Sequence, residues 1–309
     1  MLPHHMKTRQ FLFTILAIVS LAVLGPAADT AQAATAKTVR LLTVGNSFSG
    51  NATKYLPSLV TADGHTLIHR PIVVGGASLQ LHADKAATNG LYANGHSLKQ
   101  ELAADKWDFV TIQQASIKSH DIATYRPFAK YLHNYIKQNA PGATVLMHET
   151  WEYRCDDARF AVKSPKAGEP VTQEAMYQGI TNAYQTIAAE LGMRLIPVGD
   201  AFHLADTDPQ WGYKPDTKFD SKNAKSPALP DQAHSLHAGW RWTKDKLGMD
   251  GHHASDAGQY LGACVFYEVL FGESVVGNKF APSGIDPAYV RFLQETAHRA
   301  VLNSRAKNN

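Results

Sequence analysis

Cysteine is nearly absent: Cys155 and Cys264 are the only two in 309 residues, too few for a disulfide scaffold. Cys264 stands in the apolar segment 260–271 and Cys155 in a charged one, so a buried thiol and a free one is a simpler reading than a bridge between them. An excess of one charge is also lacking. With 30 Lys and Arg against 27 Asp and Glu, the formal charge is +3, and nothing suggests a nucleic-acid partner. No apolar run reaches the roughly 20 residues of a membrane-spanning helix, and no internal repeat is present.

The N-terminus does carry a pattern. Lys7 and Arg9 precede the apolar run 11–24, and Ala31-Gln32-Ala33 has the A-x-A form of a signal-peptidase site. Residues 1–33 are therefore expected to be a signal peptide. The product would be secreted or periplasmic, with no membrane anchor after cleavage, and 34–309 would form a single domain.

Along that domain, short apolar runs alternate with segments of helical period, the mark of a parallel sheet covered by helices. The runs 39–44, 67–74, 109–113, 144–148 and 194–198 are the expected strands. Phe128, Leu132, Tyr135 and Ile136 recur at helical spacing, as do Met176, Ile180, Ala183, Ile187 and Leu191; helices at about 256–271 and 286–303 close the chain. Ser255 is placed to cap the first of these last two. Two segments break the alternation, 152–170 and a long loop insertion at about 202–249. The second carries Trp211, Tyr213, Trp240 and Trp242 and runs directly into Asp250. Those rings are either substrate-binding surfaces, stacking on sugars or clamping an acyl chain, or a small satellite core under the loop.

The chemistry is carried by two segments. Gly45-Asn46-Ser47-Phe48 follows the first strand, and Asp250-Gly251-His252-His253 precedes the penultimate helix. A serine hydroxyl needs a general base, and the base needs an acceptor to fix its tautomer. Ser47, His253 and Asp250 fit those roles, with an Asp-x-x-His turn folding the carboxylate back onto the imidazole. His252 is a weaker candidate for the base, and Ser49, a weaker candidate for the nucleophile, reads as a local turn or capping hydroxyl. His65 and His69, and His234 and His237, bring no carboxylate in an H-E-x-x-H arrangement, so no metal and no cofactor are expected.

With these motifs the chain, over roughly 40–272, resembles the SGNH/GDSL hydrolase superfamily. The resemblance implies a flavodoxin-like three-layer α/β/α sandwich around a central five-stranded parallel sheet. It also implies an oxyanion hole made by the Ser47 N–H, a second-block glycine N–H and a third-block asparagine. Gly75-Gly76-Ala77-Ser78 matches the second block, with Gly76 as the donor. The third block departs: Gln113-Gln114-Ala115-Ser116 stands where G-x-N-D is expected, so Gln113 or Gln114 is assigned the missing donor.

The expectation is a serine ester hydrolase, most simply a carbohydrate O-acetyl esterase acting on an acetylated polysaccharide or oligosaccharide. A lipid or aryl esterase of the same mechanism, or a non-catalytic carbohydrate-binding protein on this fold, are the alternatives.

Overall fold

Five short runs rich in β-branched and aliphatic residues form one parallel sheet: β1 (Thr38–Gly45), β2 (Thr66–Val73), β3 (Phe109–Ile112), β4 (Thr144–His148) and β5 (Arg194–Ile196). The strand order is β2-β1-β3-β4-β5, the flavodoxin-like order, in which the crevice at the carboxyl ends of the strands is where ligands bind. The computed structural model describes Met1 and residues 35–307; the rest of the predicted signal peptide and its cleavage point lie outside the described residues. From Ala36 onward the described residues form one compact unit.

The central strands are buried on both faces, as their largely apolar sequence requires. The helices are α1 (Ser47–Thr53), α2 (Leu56–Ala62), α3 (Leu79–Thr88), α4 (Leu98–Ala103), α5 (Phe128–Asn139), α6 (Gln173–Leu191), α7 (Val198–Asp206), α8 (Asp256–Phe271) and α9 (Pro287–Lys307). One layer is built by α3, α4, α5 and α6 packed in succession, and the other by α1, α2, α8 and α9, with α7 against α8 and α9. Side-chain caps set several starts: Thr172 accepts from Ala175 N at α6, and Ser255 from Gly258 N at α8. Among the described residues no helix is long and apolar enough to cross a membrane, and Cys155 and Cys264 are both free.

The segment read as a continuous loop at 202–249 is more ordered than its composition suggests. Its first residues complete α7. Its last ones form an antiparallel hairpin, β6 (His237–Thr243) with β7 (Lys246–Ala254), irregular between His237 and Gly239. The hairpin is held from outside: Gln232 Oε1 accepts from Trp240 N at 2.6 Å and Gln232 Nε2 donates to Trp240 O at 3.0 Å. The buried Arg154 guanidinium donates to Gln232 Oε1, Ser235 Oγ and Asp156, and lies 4.4 Å from the Tyr213 ring centroid. One buried cation thus staples 153–157 to the long connection.

Candidate active site

Asn46 organises the site. Because β1 ends at Gly45 and α1 starts at Ser47, Asn46 is the helix N-cap, and its Oδ1 accepts from Phe48 N at 2.9 Å. The same oxygen accepts from Gln113 Nε2 at 2.9 Å, and Asn46 Nδ2 donates to Ala77 O at 2.9 Å. One buried amide therefore joins the ends of β1 and β3 to the turn after β2. Gly45 must lack a side chain here, since a Cβ would stand 2.7 Å from Gln113 Oε1 and 2.9 Å from Ser49 Cβ.

Ser47 is half-buried at the first position of α1, where a backbone N–H has no intrahelical partner. Its Oγ lies 2.9 Å from His253 Nε2, and His253 Nδ1 lies 3.1 Å from Asp250 Oδ2. The Asp250 and His253 side chains come from β7 rather than from the isolated turn expected. Asp250 Oδ1 accepts from the His253 backbone N at 3.0 Å, which folds the carboxylate over the following residues. Burial, the largest single influence, pushes the Asp250 carboxyl up, but hydrogen bonds from the His253 side chain and backbone and the two neighbouring imidazoles outweigh it. The carboxyl is held well below the ordinary carboxylate range and stays ionised.

Residues without a sequence signal fix this geometry. Asn51 Oδ1 accepts from Ala254 N at 3.1 Å, tying β7 to α1. Trp151 donates from Nε1 to His252 O at 2.9 Å and stacks between Phe48, at 4.3 Å, and Phe202, at 4.5 Å. This slab supports the chain beneath the histidines. His252 places Nδ1 3.2 Å from Asp250 Oδ1; it is His253 that meets Ser47. Ser49 is 1% exposed, and its Oγ is buried without a hydrogen-bond partner, so the capping role expected of it is not what the structure shows.

The third block requires a correction. Gln114 is fully buried: its Oε1 accepts from Leu79 N and Ala115 N, and its Nε2 donates to Thr124 O and Oγ1. It fastens the start of α3 to the connection after β3. Gln113 spends both amide hydrogens, on Asn46 Oδ1 at 2.9 Å and Gln114 O at 3.2 Å. Neither glutamine offers a free donor. Gly76 differs: it is exposed, has φ +65°, and its N–H makes no hydrogen bond among the described residues. The backbone N–H groups of Ser47 and Gly76 are both unpaired among the described residues.

The aromatic candidates are also redistributed. Trp211 stacks on Tyr289 at 5.3 Å and Phe292 at 5.7 Å, inside a cluster against α9. Tyr213 is 8% exposed and donates its hydroxyl to Asp156. Both serve packing under the connection, the satellite-core reading. Trp240 and Trp242 are half-buried on β6, with Trp242 Nε1 bonded to Ala228 O, and only they keep ring surface at the hairpin face.

The profile described as "Domain of unknown function (DUF4886)" matches residues 40–211. The chain belongs to the DUF4886 family. Asp250 and His253 lie beyond the matched segment. A DUF4886 family protein from Bacteroides uniformis ATCC 8492 is 28% identical in crystal structure, with TM-score 0.66 over 86% of this chain and 95% of that one. Weaker likenesses are a candidate SGNH hydrolase from Slackia heliotrinireducens (23% identity, TM-score 0.47, 75% of this chain and 98% of that one) and phospholipase A1 from Streptomyces albidoflavus NA297 (13%, 0.43, 74% and 98%). No curated protein matches the chain.

Proposed function

We propose that this DUF4886 protein is an exported serine ester hydrolase. The observation that carries the reading is the continuous relay from Ser47 Oγ to His253 Nε2, 2.9 Å, and from His253 Nδ1 to Asp250 Oδ2, 3.1 Å. With Asp250 ionised, His253 keeps its proton on Nδ1 and offers a lone pair at Nε2. Ser47 Oγ attacks the ester carbonyl carbon while His253 takes the hydroxyl proton, and the resulting oxyanion is received by the Ser47 and Gly76 N–H groups. Collapse breaks the ester C–O bond, and the proton on Nε2 goes to the departing alkoxide. Water repeats the sequence on the acyl-serine, releasing the acid and restoring Ser47. No cofactor enters any step.

With the amide hydrogens of Gln113 and Gln114 spent elsewhere, neither serves as a side-chain oxyanion donor. One such donor is worth about 3 kcal/mol in acyl-transfer enzymes, so the turnover ceiling is correspondingly low. An acetylated polysaccharide or oligosaccharide is the substrate class we favour, supported by the export signal in the sequence and the half-buried indoles of Trp240 and Trp242. Turnover of p-nitrophenyl acetate by wild type and Ser47→Ala is the test. Loss in the variant supports the hydrolase, and equal rates defeat it. Acetate release from acetylated xylan or pectin, set against hydrolysis of longer-chain esters, then separates carbohydrate from lipid esters.

A further inference from the structure

Two imidazoles share one carboxylate beside Ser47, and the relay uses only one of them. His252 Nδ1 stands 3.2 Å from Asp250 Oδ1 and His253 Nδ1 stands 3.1 Å from Asp250 Oδ2, with the rings 4.3 Å apart. Donor atoms of all three residues lie within 4.8 Å of one another, the one such group among the described residues. A tetrahedral zinc ion with bonds of about 2.0–2.1 Å holds its ligands about 3.3 Å apart. The 3.2 and 3.1 Å spacings from the two Nδ1 atoms to Asp250, one on each carboxylate oxygen, are close to that edge.

We propose that Asp250, His252 and His253 form a binding site for a divalent transition metal of the zinc class, and that metal bound there switches off the base. Two imidazoles and a carboxylate suit zinc, copper or nickel better than calcium or magnesium. Side-chain exposures of 39% for His252 and 36% for His253 leave an approach from solvent. Asp157 adds negative charge, its Oδ2 facing Gly251 at 2.4 Å from the place a Cβ would occupy. Arg241 opposes a cation, with its guanidinium 3.4 Å from Asp250 Oδ2.

The inhibitory consequence follows from the tautomer. A metal on His253 Nδ1 takes the ring's lone pair there, so the neutral ring carries its proton on Nε2. One proton moves from Nδ1 to Nε2 and none is lost. Nε2 then faces Ser47 as a donor and cannot accept its proton. This half rests on the proposed hydrolase; the binding half does not.

Calorimetric titration of zinc chloride into wild type, Ser47→Ala, His252→Gln and Arg241→Gln, beside p-nitrophenyl acetate turnover, tests both. One site is expected in wild type and Ser47→Ala, at least ten-fold weaker in His252→Gln and several-fold tighter in Arg241→Gln. Zinc should inhibit wild type, EDTA should restore it, and whatever rate His252→Gln retains should resist zinc. Identical isotherms for wild type and His252→Gln, or no binding at millimolar zinc, overturn the site. Binding without loss of turnover overturns the inhibition. Should Ser47→Ala hydrolyse as fast as wild type, the hydrolase reading falls while the isotherms still decide the metal site.

Discussion

Asn46→Ala removes the amide on which the whole site converges. The cap to Phe48 N disappears, which costs about 1 kcal/mol in a typical helix. Ala77 O loses its donor, and Gln113 Nε2 keeps only the longer contact to Gln114 O at 3.2 Å. A buried polar group left without its partner costs about 1–3 kcal/mol. Asn46 is 2% exposed and Gln113 1%, so water replaces neither bond readily. Even the low end of each contribution gives about 3 kcal/mol.

With a urea dependence of about 3 kcal/mol per molar, that is a midpoint lower by about 1 M at unchanged slope. The measurement is urea unfolding followed by tryptophan fluorescence. Folded variant should also lose about 100-fold in p-nitrophenyl acetate turnover, since displacement of a catalytic group by about 1 Å has that effect, and Ser47 is the next residue. Asn46→Asp is the comparison: it retains an acceptor for Phe48 N and Gln113 Nε2 but sets a buried carboxylate oxygen against Ala77 O in place of the donor. A midpoint shift under about 0.2 M for Asn46→Ala would refute the claim that this amide joins the three segments.

Asp250→Asn should lower kcat by about 10⁴-fold while the protein stays folded, because an amide N–H facing Nδ1 selects the wrong imidazole tautomer; steady-state kinetics and circular dichroism check it together. Asp206→Asn should change the pH profile of stability. Burial, and then the charge of Glu152, raise the Asp206 carboxyl to about 7, so its contribution is present below about pH 4 and lost as pH rises through that folded value. The variant should gain on the order of 2 kcal/mol over wild type between pH 5 and 8, read from melting at each pH, and a difference independent of pH contradicts the assignment. His148 is fully buried with neither ring nitrogen bonded, and burial lowers it to about 3. Its contribution is present above an ordinary imidazole value of about 6.5 and fades as pH falls below it. His148→Leu should therefore melt several degrees above wild type at pH 5, with a smaller gain at pH 8.

The sheet was legible because its central strands are buried on both faces and its strands read as largely apolar runs at turn-bounded intervals; the run 144–148 coincides with β4 and 256–271 with α8. The hairpin was not. Its sequence, His237 to Thr243 and Lys246 to Ala254, lies in a charged stretch, and what orders it is distant: Gln232 on the Trp240 backbone and Arg154 beneath. Such tertiary support leaves no local period to read. The three residues of the relay were legible as types and spacings, while Asn51 and Trp151, which hold them in register, carry no motif.

Asn46 and Gln113 show why motif transfer stopped at the third block. A side chain can serve the oxyanion only if its donors are unspent, and that depends on what the first block places opposite it. With asparagine at 46, the cap oxygen faces Gln113 and takes its amide hydrogen, while the asparagine's own donor is drawn to Ala77 O. Asn46 and Gln113 are therefore one coupled choice: the pair ties the ends of β1 and β3 together and, in the reaction proposed above, leaves the oxyanion to the backbone at Ser47 and Gly76. Restoring a third-block asparagine by Gln113→Asn alone should not raise activity, because the shortened arm would abandon Asn46 Oδ1 before it could reach the substrate.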